Sequence, residues 1–302
     1  TTEIYTLSLH DALPICQRFF PIGFYHVSWN LSDQDRLACL DYCARNGYNV
    51  LHASWRPGET LEPLVEAARR GGVMLFLEGA DPERINPWRE EQTILGWSLR
   101  DEPDLALVDP DQLAVQYEQW RTAIPNQLIA TVLVFPDSFA HYRRAADWVG
   151  HDYYPILSGN RDLSSVFANH CRLKEEAGEW RAPLAVLQSF GYPTGFAIPT
   201  LPELKNMVYQ ALAADTSGIL FYTWNDGSFA LTDHPELDAW MRQLPTEIAP
   251  YLPFLLDGDW QRWEGGNPAI VGGLWKREGK TLRILCNRSE EHTSELQSLA
   301  YL

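Results

Sequence analysis

The chain has 302 residues, 45% of them hydrophobic, with a formal net charge of −16, enough for one large domain with a sizeable core. Such an acidic balance argues against nucleic acid or an anionic membrane as partner and suits a neutral or cationic ligand. No apolar run reaches the roughly 18 residues that a membrane span needs.

Two segments are set aside first. TTEIYTLSLHDALPI (1–15) and RSEEHTSELQS (288–298) back-translate into the two adapters of a short-read sequencing library, and SLAYL fits the index that follows. Scars of this kind are excluded from fold reasoning. Natural sequence is then expected over residues 17–287, with Cys16 made at the junction. Removing Glu3, Asp11, Glu290, Glu291, Glu295 and Arg288 moves the net charge from −16 to −12. Residues 1–15 and 288–302 are expected to bury little and to complete no part of the core. With both natural ends missing, localisation is not legible; a secreted or periplasmic protein is compatible. Cys39, Cys43, Cys171 and Cys286 form no CxxC pair and no zinc spacing. Cys39 and Cys43 lie one helical turn apart and read as two packed thiols.

Taken in chain order, the elements begin with an extended run, FFPIGFYHV (19–27). A helix follows, capped by Ser32 with Asp35 three residues on and stopped at Gly47, with Leu37, Leu40 and Ala44 as its buried stripe. YNVLHAS (48–54) is a second strand. Leu61, Leu64, Val65 and Ala68 then mark a helix ending at Gly71-Gly72, and VMLFLEG (73–79) is a third strand. The next connection, DPERINPWREEQ, is a weak helix broken by Pro87. Strands follow at ILGWSLRDE (94–102), QLIATVLVF (127–135), ADWVGHDYY (146–154) and PLAVLQSF (183–190). A helix carrying Leu204, Met207, Val208, Ala211 and Leu212 leads to the eighth strand, GILFYTWND (218–226), and a last helix shows Leu237, Trp240, Met241 and Leu244.

Most of these strands are near-continuous apolar runs, as strands covered on both faces should be. Strand–helix alternation implies a parallel sheet. Eight such units over residues 17–256 predict an α/β fold, a closed (β/α)8 TIM barrel. The competitor is a doubly wound open sheet, but FYHVSWNLSDQD has no GxGxxG phosphate turn after the first strand. From residue 257 the pattern changes. GGLWKREGKTLRILCN reads as a hairpin turning at Glu278-Gly279, the truncated start of a β-rich domain over 257–287.

In such barrels the site lies at the C-terminal strand ends, and the polar residues cluster there. The first strand ends in His26, Ser28 and Trp29, the second in His52, Ser54, Trp55 and Arg56, the third in Glu78. The fourth ends in Arg100, Asp101 and Glu102, and the sixth in His151, Asp152, Tyr153 and Tyr154. The seventh ends in Gln188, and the eighth in Tyr222, Trp224, Asn225 and Asp226. Acids sharing one cleft repel, so some of their pKa values should rise, which a general acid requires. His26 and His52 lack the HxH spacing of a metal-dependent barrel on the first strand and read as polar contacts to substrate; no metal or cofactor is implied.

GWSLRDEP, DYYP and GILFYTWND, in this order and spacing, resemble the (β/α)8 glycoside hydrolases of clan A type. More closely they resemble bacterial glycosidase-like barrels with a DEP motif. FFPIGFYHV and PTLPELKNMVYQAL are also similar to theirs. The resemblance implies an oligosaccharide or polysaccharide substrate, Glu102 as acid/base with Asp101 in place of the family's Asn, and Trp224 as the sugar-stacking platform. It departs at the seventh strand, where Gln188 stands in the place of the nucleophilic Glu.

Asp152, then Glu78, is therefore the candidate second carboxylate, unless the substrate assists its own cleavage. Arg100, Asp101, His26, His52, Trp55, Tyr154, Gln188, Tyr222, Trp224 and Asn225 are the candidate substrate contacts. The rival readings are a catalytically silent sugar-binding barrel, motivated by Gln188, and a metal-assisted hydrolase using His26, Glu78, Asp152 and a water.

Overall fold

The computed structural model describes residues 19–27, 32–179, 181–288 and the backbone of 298–301. Ser28, Trp29 and residues 1–15, on which expectations were placed, lie outside the described residues.

Eight parallel strands, β1 (Ile22–Val27), β2 (Val50–Ser54), β3 (Met74–Glu78), β4 (Ile94–Asp101), β5 (Leu128–Leu133), β6 (Trp148–Tyr153), β7 (Ala182–Gln188) and β8 (Gly218–Tyr222), close into a barrel in sequence order. Seven fall within the stretches predicted for them, and β7 starts one residue before its own, at Ala182. Tyr25, Val50, Phe76, Leu95, Leu128, Trp148, Val186 and Leu220 fill the lumen. Gly96 lets β4 approach β5: a Cβ there would stand 2.4 Å from the Leu128 carbonyl oxygen.

Around the barrel lie α1 (Asp33–Asn46), α2 (Glu62–Gly71), α3 (Pro82–Ile85), α4 (Pro110–Ala123), α5 (Phe139–Tyr142), α6 (Val166–Ala177), α7 (Leu201–Ala213) and α8 (Pro235–Met241), followed by the short α9 (Leu244–Ile248) and α10 (Leu252–Asp257). Ser32 and Asp35 form the expected capping box on α1, and Gly47 closes it with φ of +81°. The buried face of α1 differs from the expectation. It is Arg36, Cys39, Leu40, Tyr42 and Cys43, while Leu37 and Ala44 are exposed. The Arg36 guanidinium turns that face inward by donating to the Ser54 carbonyl (2.7 Å) and to Glu59 (3.0 Å). Cys39 and Cys43 are buried free thiols. The weak third helix is one turn, α3, running into a 3₁₀ turn over Asn86–Trp88.

After the barrel comes a small antiparallel sheet of β9 (Asp259–Arg262), β10 (Ile270–Arg277), β11 (Lys280–Asn287) and β12 (Ser298–Tyr301), in the order β12-β11-β10-β9. The β10–β11 hairpin turns at Glu278 and Gly279 with φ of +50° and +77°, the double positive φ that a two-residue primed turn needs. Asn206 on α7 donates to the Asn287 carbonyl (2.7 Å), and the buried Trp275 indole donates to Asp215 (2.8 Å), so the sheet shares the barrel's outer core.

Within residues 288–302, expected to complete no part of the core, two stretches make contacts with the described fold. Arg288 donates to the Ser164 carbonyl (2.9 Å), and Ser298–Tyr301 pairs along β11, whose outer edge offers unpaired backbone groups to any extended segment. Among the described residues no helix is long and apolar enough to cross a membrane.

Candidate active site

The end of β4 is shaped by two slips in its ladders, against β3 between Leu75 and Phe76 and against β5 between Ser98 and Arg100. Such irregularities re-aim side chains. Asp101 consequently reaches the barrel mouth, where the lumen residue Tyr25 donates its hydroxyl to Asp101 Oδ1 at 2.5 Å. Glu102 follows with φ of +43°, a left-handed backbone that costs a non-glycine residue about 1–2 kcal/mol. Hydrogen bonds hold it there, from Glu102 N–H to the Val132 carbonyl and from Ala106 N–H to the Glu102 carbonyl, each 3.0 Å. Asp104, at the end of the same DEPD stretch, does a different job. Its carboxylate accepts from the Phe135 N–H (2.8 Å) and the Ser138 hydroxyl (2.6 Å), tying the loop after β4 to the loop after β5.

Beside Asp101 lies a histidine–carboxylate cluster. His26, itself at φ +57° on an irregular stretch of β1, places Nε2 2.7 Å from Glu78 Oε1 and 3.9 Å from Asp101 Oδ2. The Ser54 hydroxyl donates to the same Glu78 oxygen. His26 N–H donates to His52 Nδ1 at 2.9 Å, so neutral His52 carries its proton on Nε2, which faces Glu78 Oε2 at 4.0 Å. Burial lowers the His52 pKa to about 3. Burial also opposes charge on Glu78, but the bond from His26 and the nearby histidines outweigh it and bring Glu78 to about 2. His26 responds in kind: burial pulls it down, and Glu78 and the other acids more than restore it, leaving it raised. Asp101 is raised, by burial first, with Glu78 and Glu102 adding repulsion against the pull of His26 and the Tyr25 hydroxyl.

Asp152 on β6 meets Glu102 directly. Burial pushes its carboxyl well above the ordinary range, and a hydrogen bond with Glu102 and repulsion from Glu102 and Asp101 add to it. Asp152 Oδ1 is buried without a hydrogen-bond partner among the described residues.

Aromatic rings flank the acids. Tyr154 is pushed up by burial and then by Asp152 and Asp101, which marks its place beside them. Its ring stacks on Tyr222 at 5.8 Å and meets Phe190 edge-on at 5.1 Å.

Several expected contacts are used elsewhere. Gln188 is fully buried, with its amide spent on the backbone of the loops after β6 and β7. Its Oε1 accepts from the Ile156 N–H (2.9 Å), and its Nε2 donates to the carbonyls of Ile156 (3.0 Å), Ala197 (3.0 Å) and Phe190 (3.2 Å). It is a clamp between two loops, because an amide alone matches both the N–H and the carbonyls around it. Trp55 donates to the Glu59 carbonyl (3.0 Å) and carries the Arg84 guanidinium 3.9 Å over its ring, so its faces are spent on packing. Trp224 is 9% exposed and packs near Tyr42 of α1; it caps the barrel wall and offers no open platform. Asn225 accepts from the Gly227 N–H (2.9 Å), and Arg100 is exposed. His151, at the end of β6, bonds the Leu133 carbonyl (3.0 Å). Among the described residues no three His, Cys, Asp or Glu side chains group as metal ligands. His26 pairs with Glu78 and Asp152 with Glu102, so the expected trio does not form one site.

Tyr25 was missed. Its signal was the alternation of FYHV, which puts Tyr25 on the lumen face one residue before the His26 irregularity. Ser54 stood among the strand ends, but its bond to Glu78 has no sequence signature.

No family model matches the chain, and no curated protein matches it. Among solved structures it is similar to the β-galactosidase of the Antarctic haloarchaeon Halorubrum lacusprofundi (11% identity, 76% of this chain and 58% of that one, TM-score 0.59). It is also similar to an Anoxybacillus α-amylase (12% identity, 90% and 88%, TM-score 0.59) and to the endo-1,4-β-mannanase of Rhizomucor miehei (11% identity, 76% and 95%, TM-score 0.55). The chain spans 58% and 59% of the haloarchaeal and Marinomonas β-galactosidases. At such low identity the likeness is one of fold: the chain is a (β/α)8 barrel of the architecture found in these glycoside hydrolases.

Proposed function

We propose that this chain is a glycoside hydrolase in which the Glu102–Asp152 pair moves the proton. The observation that carries the reading is two carboxyls brought to the C-terminal mouth of the barrel, Asp152 buried in the wall with its pKa raised and Glu102 at the end of β4. In the ground state the pair holds the proton that the leaving oxygen needs. Glu102 hands it over as the glycosidic bond breaks and later takes one from water, so it serves as acid and then base. Asp152 stores the proton and is a positioning residue for Glu102. Glu78 stays anionic beside His26, and Tyr154 and Tyr222 offer an aromatic wall to the apolar face of a sugar. The substrate is an oligosaccharide or polysaccharide.

The test is Glu102→Gln, read on hydrolysis and on sugar affinity together. Turnover should fall by about 10²–10⁴-fold with affinity retained. Sugar binding without any Glu102-dependent turnover would support the second reading, a sugar-binding barrel, which the missing carboxylate at the end of β7 favours. Activity lost to a chelator would point to metal-assisted hydrolysis.

A further inference from the structure

We infer that the glycoside cleaved by this barrel carries an apolar aglycone, a neutral hydrocarbon leaving group that lies on an exposed rim of Leu105, Leu107 and Phe135. The inference rests on the glycoside-hydrolase reading and adds the chemistry of the leaving group.

Seven large hydrophobic side chains are exposed among the described residues, and their placement is uneven. Leu105 and Leu107 stand on the loop after β4, Phe135 on the loop after β5, and Leu157 and Ile198 on the loops after β6 and β7. Five of the seven thus sit at the C-terminal end of the barrel, on its β4–β7 half. The loops after β2 and β3 are built from ion pairs and polar bonds instead. Arg56 holds Glu59 at 2.5 Å, and Arg84 donates to the carbonyls of Gly79 (2.8 Å) and Arg56 (3.0 Å). One side of the rim is charged and the other is apolar.

The apolar side is fixed in place. Val108 N–H donates to the Pro103 carbonyl (2.8 Å) and Leu107 N–H to the Asp104 carbonyl (3.3 Å), and the Asp104 carboxylate fastens this loop to the Phe135 N–H (2.8 Å). Leu105 is 53% exposed and Leu107 88%. Leu107 also holds φ of +55°, a backbone that Gly, Asn or Asp adopts far more readily than a bulky apolar residue. Neither backbone preference nor packing within the described fold accounts for leucine at this position. A contact from outside the fold does.

The surroundings narrow that contact. Asp109 and Asp111 follow the loop, and the chain carries a net charge of −16, so an anionic surface or a second copy of the chain is repelled. A sugar hydroxyl laid on leucine loses water and gains no hydrogen bond. A neutral hydrocarbon meets neither penalty, and each methylene covered adds to binding. Glu102 lies one closed turn away, its carbonyl accepting the Ala106 N–H at 3.0 Å. In the proposed reaction Glu102 protonates the leaving oxygen, so the group on that oxygen is the part of the substrate that passes this loop. A free alkyl aglycone and the tail of a glycolipid share this chemistry.

The test uses methyl, butyl and octyl glycosides of glucose, galactose and mannose, in both anomers and below their micellar concentrations. The kcat/KM should rise by about 10²-fold from methyl to octyl. Leu105→Asn combined with Leu107→Asn should cut the octyl value by about tenfold and flatten the chain-length series. The denaturation midpoint should hold, because both side chains are exposed and Asn accepts a positive φ. Binding of the same series to the Glu102→Gln variant is measured alongside by calorimetry. Cleavage without chain-length dependence overturns the inference and leaves the hydrolase reading in place. Binding that tightens with chain length, with no turnover by the unaltered protein, overturns the hydrolase reading and keeps the rim as a hydrocarbon site. Neither binding nor cleavage overturns both. A dimer in sedimentation velocity that the two Asn substitutions dissociate also overturns the inference, because a second copy then covers the leucines. Flotation with phosphatidylcholine vesicles holding lactosylceramide separates the two supporting cases: protein that floats assigns the hydrocarbon to a bilayer lipid, and protein that stays behind assigns it to a free aglycone.

Discussion

Tyr25 on β1 and Asp101 at the end of β4 are joined by a 2.5 Å hydrogen bond across the barrel mouth. The phenol donates, so the bond stabilises the charged carboxylate and works against the burial that raises Asp101. Tyr25→Phe removes the donor and leaves the burial. A hydrogen bond to a charged group is worth about 1.5–3 kcal/mol and one pKa unit about 1.36 kcal/mol. The acid limb of the kcat/KM profile should therefore move to higher pH by about one unit. A profile that stays in place would show that Asp101 does not titrate in the rate.

Gln188 is the residue that separates this barrel from the pattern it resembles. Restoring the carboxylate with Gln188→Glu should not raise activity. It would set a carboxylate against the carbonyls of Ile156, Phe190 and Ala197. The loss of stability should be about 3–5 kcal/mol, the range for an uncompensated buried charge, read as a lower denaturant midpoint. A gain in turnover would reverse our view of Gln188 as a clamp.

Three buried histidines set the acid stability. Burial lowers His52 to about 3, His151 to about 4 and His170 to about 3. A histidine whose folded pKa lies below its unfolded value of about 6.5 stabilises the fold above that pH. Its contribution is lost as pH falls towards the folded value, by up to about 1.4 kcal/mol per unit for each histidine. Raised His26 has the opposite sign: its contribution is full below about pH 6.5 and lost as pH rises through its folded pKa. The melting temperature should fall steadily between pH 6 and pH 4. Both ring nitrogens of His170 are buried without a hydrogen-bond partner, so His170→Phe should flatten this dependence and raise the melting temperature by about 2–4 °C at pH 5. An unchanged slope would exclude His170 as a contributor.

Trp224 was expected to hold sugar and instead packs in the barrel wall, with its indole N–H buried and without a partner. Trp224→Phe keeps most of the packing and loses no hydrogen bond. It should leave KM within about twofold, and Trp224→Ala should cost about 3–5 kcal/mol in stability. A large rise in KM for the Phe variant would restore the platform role.

The barrel was legible because its signals are local and repeated. Apolar runs such as VMLFLEG and QLIATVLVF announce strands buried on both faces, and Ser32, Asp35 and Gly47 announce both ends of α1 from nearest neighbours. The turn at Glu278-Gly279 is equally local. What failed was orientation. Leu37 and Ala44 were assigned inward because the periodicity admits that face, but Arg36 found partners on Ser54 and Glu59 that no period encodes.

The site divides in the same way. The sequence by itself determined which residues stand at the strand ends, including Asp101, Glu102, Asp152, Glu78 and His26, since the end of a strand is a matter of chain position. Tertiary structure alone decided which of them meet. Two ladder slips aim Asp101 at Tyr25, His26 finds Glu78 on another strand, and Gln188 is taken up by the backbone of two loops. These outcomes depend on distances between strands far apart in sequence and on which polar group finds a partner once water is gone, and a buried donor or acceptor takes whatever partner the closed barrel brings within reach.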